Sequence, residues 1–112
     1  MKQEIFMHNL TEYIIIIGKN KVENFTIIDS SVNTDIWFHV DGLPSCHVIL
    51  KNNKKISEIP RQVIKRCAYL CKINSNAKTL STCDIVYTPI SEVIKTDIIG
   101  TVLLKKSKTL SI

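Results

Sequence analysis

Glycine and proline are scarce in this chain, and no long apolar run occurs. Only three glycines and three prolines are present among 112 residues. No glycine stands in a G-x-G-x-x-G or G-x-x-x-x-G-K-[ST] sequence, which excludes the common nucleotide-binding loops. The longest apolar run, Tyr13 to Ile17, is far shorter than the ~18 residues that span a membrane. No secretory signal follows Met1, so a cytoplasmic location without a membrane partner is predicted.

Four cysteines are too few for a disulfide scaffold in a chain that lacks a secretory signal. Cys67 and Cys71 lie four apart in a predicted helix, and they could ligate a metal if Cys46, Cys83 or a histidine joined them. The four cysteines do not form paired C-x-x-C knuckles, however. They are therefore predicted to be small buried core residues, and no metal or cofactor is expected.

Positive charge is concentrated in one segment. Residues 51–78 hold eight Lys or Arg and a single acid, Glu58, a balance of +7, whereas the whole chain carries +5. Such concentration is the electrostatic footprint expected of a nucleic-acid-binding surface. A solvated, lysine-rich surface without a ligand is the alternative that charge alone leaves open.

Hydrophobic periodicity predicts several strands and one main helix. That they form one α+β domain over residues 1–112, a mostly antiparallel sheet with the helix packed across it, is implied by the family resemblance given below. The helix is expected over Ser57–Lys72, with Ser57 as its N-cap. Residues 18–24 have loop composition, and residues 25–31 are a short helix or a turn. The strands are predicted at Ile5–Met7, Tyr13–Ile17, Ile36–Val40, His47–Lys51 and Cys83–Tyr87, with a closing hairpin of Thr101–Lys105 and Thr109–Ile112.

Two histidines lie on neighbouring predicted strands. Alternation places Trp37, His39 and Asp41 on one face, and His47 follows on the returning strand. A histidine beside a carboxylate could do acid–base chemistry, and Cys46 next to His47 suggests a nucleophile, but adjacent strand residues point to opposite faces. No catalytic motif accompanies them, so a protein without enzymatic activity is predicted, with histidines that are structural or contact a ligand.

Six short motifs in order resemble the NFACT-R domain, over residues 12 to 112. Asp35-Ile36-Trp37-Phe38-His39-Val40 is similar to that family's D-[IL]-W-[FL]-H-[VA] strand. The other similar stretches are Gly18-Lys19-Asn20 with Asn24, Pro44–Lys51, Ala68–Ser75, Asp84–Thr88, and Gly100–Val102 with Lys108–Leu110. Two departures are visible: the P-G-S turn has become Pro44-Ser45-Cys46 without its glycine, and residues 94–99 are nearly neutral where the family has a basic loop.

The resemblance implies a nucleic-acid-binding module, which occurs alone and at the end of NEMF/Caliban-type ribosome-quality-control factors. RNA, as tRNA or rRNA, is the predicted partner, bound with little sequence specificity. DNA, ribosome association and the oligomeric state are left open. The alternative function is a protein-interaction adaptor whose basic helix docks an acidic or ribosomal partner.

Candidate ligand-binding residues come from both the charge pattern and the resemblance. Trp37 either stacks on a base or, as the pattern favours, lies in the core. Charge rather than histidine chemistry is predicted to carry binding. The predicted phosphate contacts are Lys19, Lys21, Lys51, Arg61, Lys65, Arg66 and Lys72, and the predicted hydrogen-bonding residues are Asn20, Asn24, His39, His47, Asn74 and Ser75.

Overall fold

The protein is described by a computed structural model that covers residues 1–112. Its main element is a six-stranded antiparallel sheet with the order β1-β2-β4-β3-β5-β8, and β6 and β7 form a separate two-stranded sheet. The strands are β1 Lys2–His8, β2 Thr11–Gly18, β3 Ile36–Val40, β4 His47–Leu50, β5 Asp84–Pro89, β6 Val93–Lys95, β7 Val102–Leu104 and β8 Lys108–Ser111. The helices are α1 Lys21–Asp29 and α2 Arg61–Ile73, and short 3-10 turns occupy Ile56–Glu58, Asn76–Thr79 and Ile90–Glu92. The predicted α+β class and antiparallel sheet are confirmed.

Helix α2 covers one face of the sheet, which we call the α2 face. The core on this face contains 18 buried residues. Strand residues at alternate positions, such as Ile15, Phe38 and Val48, meet the apolar stripe of α2 there, as the two periodicities require. Cys46, Cys67 and Cys71 belong to this core as buried free thiols, so the prediction of core cysteines is confirmed for them. Cys83 packs against the same core but is only half-buried.

The opposite face, which we call the α1 face, is covered less completely. Ile27 and Ile28 of α1 pack there with Trp37 and Ile49 in a cluster of four buried residues. Strands β6 and β7 lie over part of the same cluster, through partly buried residues such as Val102. The sheet thus has a helix on each face, where the sequence predicted one main helix.

The predicted start of the main helix is wrong. Helix α2 begins at Arg61, with Pro60 at the N-cap, and Ser57 lies in a separate 3-10 turn that ends before it. The cause is Pro60, because the residue before a proline is driven out of the helical region. Ile59 accordingly has an extended backbone, with ψ 129°.

Residues 18–24 do not form a loop throughout, because α1 already begins at Lys21. The Asn20 side chain caps this helix by accepting a hydrogen bond from the Glu23 backbone N–H at 2.9 Å. Glu23 in turn accepts from the Lys19 backbone N–H at 2.9 Å. This Asn-x-x-Glu spacing is a helix-start signal that the scarcity of apolar residues concealed.

The predicted closing hairpin is also wrong. Strand β7 pairs with β6, for example Leu104 opposite Val93, whereas β8 pairs with β5, as Leu110 does with Ile85. Residues 90–99 contain no clean hydrophobic period, so the sequence does not indicate β6. Without β6, the sequence predicts that β7 pairs with β8. Strand β5 also continues to Pro89, which is tolerated at the end of a strand.

Candidate nucleic-acid interface

The predicted ligand-binding residues divide between the two faces of the sheet. Residues from Lys19 to Lys51 lie on or beside the α1 face, and those from Arg61 to Ser75 lie on or just beyond α2. They therefore do not form one continuous surface. Their side chains must be considered separately, according to whether each is already bound within the protein.

Two of the predicted phosphate contacts form ion pairs within the protein. The Lys51 Nζ lies 2.6 Å from Oδ2 of the buried Asp35. Arg66 binds Glu4 through two parallel hydrogen bonds of 2.7 Å. These bonds lower the pKa of the Glu4 carboxyl and raise that of the Arg66 guanidinium. Because their charge is already compensated, a phosphate would have to compete with Asp35 for Lys51 and with Glu4 for Arg66.

The residues at the end of α2 also hold the fold together. The Lys72 Nζ donates to the Ile112 carbonyl at 3.0 Å, and the Asn74 amide donates to the Leu70 carbonyl at 2.8 Å. The Ser75 hydroxyl caps the 3-10 turn that follows. The Asn74 and Ser75 side chains therefore satisfy main-chain groups that a helix end leaves unpaired, whereas Lys72 joins α2 to the main chain after β8.

Trp37 is a core residue, which is the alternative that the sequence pattern favours. Its side chain is 2 % exposed, and its ring is stacked with that of His39 at a centroid distance of 5.5 Å. The indole Nε1–H donates to His47 Nδ1 at 3.0 Å. A buried indole requires such an acceptor, and the bond fixes His47 with its Nδ1 unprotonated.

Both histidines beside Trp37 are neutral at pH 7. Burial lowers the pKa of His47 to about 3, the proximity of His39 lowers it further, and a hydrogen bond to the Gly100 backbone opposes the shift. Burial also lowers the pKa of His39. Neither imidazole therefore contributes positive charge for phosphate binding.

The Cys46 thiol faces away from His47. Its Sγ lies on the α2 face, 3.6 Å from the Cys71 carbonyl oxygen, while the His47 ring lies on the α1 face beside Trp37. Strand alternation predicted this separation correctly. The two residues therefore do not form a nucleophile and base pair.

An open cleft of about 450 Å³ brings several predicted residues together on the α1 face. It lies between the start of α1, the β3–β4 turn and residues 99–102, and we call it the histidine cleft. Five predicted residues line it, from three different elements: Lys21, Asn24, Trp37, His39 and His47.

The Gly18…Asn24 spacing has a steric basis in this cleft. A Cβ atom on Gly18 would lie 2.5 Å from Asn24 Oδ1, so only glycine permits this approach of α1 to β2. The same Oδ1 accepts from the His47 backbone N–H at 3.1 Å. The glycine therefore positions an amide that joins the helix to β4.

The missing glycine in the β3–β4 turn does not disrupt the turn. Gly42 has φ +75°, and neither Ser45 nor Cys46 has a positive φ. The Ser45 hydroxyl instead accepts from the Val40 backbone N–H at 3.1 Å and donates to the Cys46 carbonyl at 2.6 Å. The hydrogen bonds of the Ser45 hydroxyl thus close the turn.

A second polar surface, on the α2 face, was only partly predicted. Arg61 and Lys108 line a small depression together with Tyr87, and Lys106 joins Lys108 and Tyr87 in the depression beside it. We call these four residues the basic groove. Lys65 lies one helical turn beyond Arg61 on the same side of α2.

The cations of the basic groove form no ion pair within the protein. Lys106 and Lys108 are exposed, as is Arg61, and none of the four salt bridges in the structure includes them. Glu92 lines the same depression as Lys106 and Lys108 without forming a salt bridge to either. The sequence signal for the two missed lysines is the basic run from Lys105 to Lys108. Because this run is far in sequence from the basic segment of residues 51–78, the sequence does not show that the two lie together in the fold.

No three His, Cys, Asp or Glu side chains are grouped so that they could hold a metal ion. None of the helices has both the length and the apolar character needed to cross a membrane.

The six-stranded sheet with one helix on each face defines a small α+β domain that carries these two polar surfaces. The chain belongs to the NFACT protein RNA binding domain family, whose model matches residues 2–107. The resemblance that the sequence motifs indicated is thereby confirmed.

Two relatives and one solved structure illustrate the similarity. The chain is 44% identical over 91 residues to Coiled-coil domain-containing protein 25 of Bos taurus, covering 79% of this chain and 44% of that protein. It is 32% identical over 82 residues to the Rqc2 homolog RqcH of Bacillus subtilis, covering 72% of this chain and 14% of that one. The chain thus spans less than half the length of either relative.

The fold is shared with the C-terminal part of the fibronectin/fibrinogen-binding protein from Streptococcus suis. The two superpose with a TM-score of 0.85 at 23% identity, over 100% of this chain and 45% of the other. At this identity the likeness concerns the fold alone.

Proposed function

We propose that this protein is a non-catalytic RNA-binding module that holds the phosphates of an RNA strand along the basic groove. The observation that carries the proposal is the meeting of uncompensated cations with an aromatic ring. Arg61 from α2, Lys108 from β8 and Lys106 before it surround the half-buried Tyr87. Membership of the RNA binding domain family supports RNA as the ligand.

The groove suits phosphates rather than base edges. Guanidinium and ammonium groups bind phosphate oxygens in any sequence context. The groove supplies cations but no set of side-chain amides that would distinguish one base from another. Binding with little sequence specificity follows, and it weakens with salt because each phosphate contact releases counterions.

The source of the RNA follows from the family resemblance. We expect tRNA or rRNA in the cytoplasm, with the ribosome as the assembly on which the module acts. A screen of tRNA, rRNA fragments and duplex DNA by fluorescence anisotropy ranks these partners. Equal affinity for duplex DNA and for all RNAs would contradict a preference for RNA.

The salt dependence of binding tests the groove itself. Affinity for a labelled single-stranded RNA is measured over a range of salt concentrations for the wild type and for the double variant Arg61→Gln/Lys108→Gln. Each phosphate contact contributes about 0.7 to the slope of log K against log salt for single strands. Loss of two contacts should therefore reduce the magnitude of the slope by about 1.4.

The matched control is Lys2→Gln/Lys78→Gln, which removes the same charge from two exposed lysines outside the groove. It should leave the slope nearly unchanged. An equal loss in both variants would mean that net charge, and not this groove, binds RNA. A wild-type protein without affinity for RNA, whose basic helix instead binds an acidic or ribosomal protein, would establish the adaptor alternative.

A further inference from the structure

We propose that the histidine cleft is a pocket for one unstacked nucleobase of the bound RNA strand. The proposal rests on the RNA-binding function above, but it concerns the opposite face of the sheet. Tyr87 of the basic groove and Val86 of the cleft are adjacent in β5 and point to opposite faces. A strand that passes over the β5–β8 edge would reach both surfaces.

The first observation is a buried amide with a free donor. Asn24 is only 6 % exposed, and its Oδ1 is occupied by the His47 backbone N–H. Its Nδ2 has no acceptor within the protein, yet it is not sealed from solvent, because no fully buried side-chain nitrogen or oxygen lacks a partner. Since Asn24 lines the cleft, this NH₂ group is available to a ligand there.

The second observation is an acceptor on His39, which lines the same cleft. The Nδ1 of His39 is hydrogen-bonded to the Val40 carbonyl, so Nδ1 carries the proton of the neutral ring. The Nε2 of His39 is then an unprotonated acceptor without a partner in the protein. The cleft therefore presents one donor, from Asn24, and one acceptor, from His39.

Much of the remaining lining of the cleft is apolar. Val86, Val102 and Leu104 lie along it, and the stacked rings of Trp37 and His39 form its floor. Polar groups are added by Asp41, Ser45 and Thr101. A nucleobase has the complementary properties, with two apolar faces and an edge that carries both donors and acceptors. RNA-binding proteins recognise unstacked bases in this way, by packing against their faces and hydrogen bonding to their edges.

The cleft is lined by one cation, Lys21, and one anion, Asp41, so base recognition there rests on packing and hydrogen bonds rather than on net charge. Lys21 takes part in none of the four salt bridges. Its side chain passes close to Gly100, where an added Cβ would lie 3.0 Å from the Lys21 Cβ. Glycine at this position, with φ +82°, lets the lysine stem lie along the cleft edge.

The test separates the base from the phosphate backbone. Binding is measured for a single-stranded RNA and for an abasic oligonucleotide of the same length and charge. Trp37 is the only tryptophan of the chain and lies at the base of the cleft, so its fluorescence reports occupancy directly. We expect roughly tenfold tighter binding of the base-containing strand, together with a change in Trp37 emission that the abasic strand does not produce.

Thr101→Phe should abolish both differences by filling the cleft. Thr101 is exposed and lines the cleft, so the variant should fold. Thr11→Phe is the matched control and should retain both differences. Thr11 is exposed at the first position of β2 and does not line the cleft. Asn24→Asp keeps the acceptor for the His47 N–H and removes the free donor, so it should reduce the ratio between the two oligonucleotides.

The outcomes separate this inference from the proposed function. Equal affinity of the wild type for both oligonucleotides, with no effect of Thr101→Phe, would overturn the base pocket and leave phosphate binding intact. Absence of binding to either strand would overturn both. Competition by free adenosine monophosphate at the concentration of the oligonucleotide would assign the cleft to free nucleotides and would also overturn the proposal.

Discussion

The two faces of the sheet differ in what they bury. The α2 face encloses 18 residues that are almost entirely aliphatic, aromatic or cysteine. The α1 face has four buried apolar residues in its cluster, and beside them lie the buried Asn24 and His47, held by specific hydrogen bonds. One face of a sheet can therefore provide most of the stability of the domain, while the other face forms a polar recess.

The cost of burying a polar group without a partner explains why the polar side chains of the α1 face are held in fixed positions. A buried donor or acceptor without a partner costs about 1–3 kcal/mol. The indole of Trp37, the ring of His47 and the amide of Asn24 therefore form a connected set in which each position depends on its neighbour. The α2 face requires only complementary shapes, and its stability scales with the apolar area that is buried.

The largest expected effect lies on the α2 face. Phe38 is fully buried and stacks on Tyr87 at a centroid distance of 5.5 Å. Phe38→Ala should lower the free energy of unfolding by about 3–5 kcal/mol, since it removes apolar contact and leaves a cavity. Urea denaturation measures the change, and Ile5→Ala, at an exposed position, should remain within about 0.5 kcal/mol of wild type. A loss below about 1 kcal/mol for Phe38→Ala would show that this core is not the main source of stability.

The next effect is steric and belongs to the α1 face. Gly18→Ala should cost roughly 3 kcal/mol, the upper end of the range for overpacking, because the new methyl group meets the backbone of Asn24 as well as its Oδ1. Thermal or urea unfolding gives the value. In a double-mutant cycle with Asn24→Ala, the two losses should sum to more than the loss of the double variant. Additive losses would mean that the contact is not the cause.

The pH dependence of stability isolates the α1 face further. The pKa of His47 is about 3 in the folded protein, against an ordinary value of 6.5. Below pH 6.5 the unfolded chain therefore binds more protons than the folded protein, and the free energy of unfolding decreases as the pH is lowered. This group alone should contribute roughly 2 kcal/mol of loss between pH 7 and pH 5, and His39 shifts in the same direction. Urea midpoints at both pH values measure it.

His47→Asn is the control for the titration. Its side-chain oxygen can replace Nδ1 as acceptor for the Trp37 indole, and it does not ionise. The variant should be less stable at pH 7, but it should lose less stability on acidification than the wild type does. An unchanged pH dependence would show that His47 is not the titrating group.

Strand alternation was sufficient to predict the arrangement of β3 and β4. The period of two side chains is strict, so Trp37, His39 and His47 could be assigned to one face and Cys46 to the other. The roles of Gly18 and Asn24 could be proposed only from the resemblance, because their contact depends on how closely α1 approaches β2.

The basic groove could not be predicted because it depends on pairing between distant strands. Lys108 reaches Arg61 only because β8 pairs with β5, and alternation within a strand does not identify its partner. In the same way, charge counting along the chain could not show that Glu4 neutralises Arg66. Concentration of charge in a segment therefore does not show which cations remain unpaired after folding.

The smallest expected effect distinguishes compensated from uncompensated arginines. Arg66 and Glu4 are each about one-third exposed, so solvent screens their pair, and Arg66→Gln should cost less than about 1 kcal/mol of stability. Its effect on RNA affinity should be smaller than that of Arg61→Gln, although both variants remove one charge from the same helix. Anisotropy titrations of the two variants at one salt concentration measure the difference.

The companion variant Glu4→Gln tests the same pair from its other side. Because it removes the carboxylate that binds Arg66, it should release Arg66 and strengthen RNA binding slightly. If Arg66→Gln instead weakened binding as much as Arg61→Gln, the RNA would have to displace Glu4, and the binding surface would extend across α2 to β1.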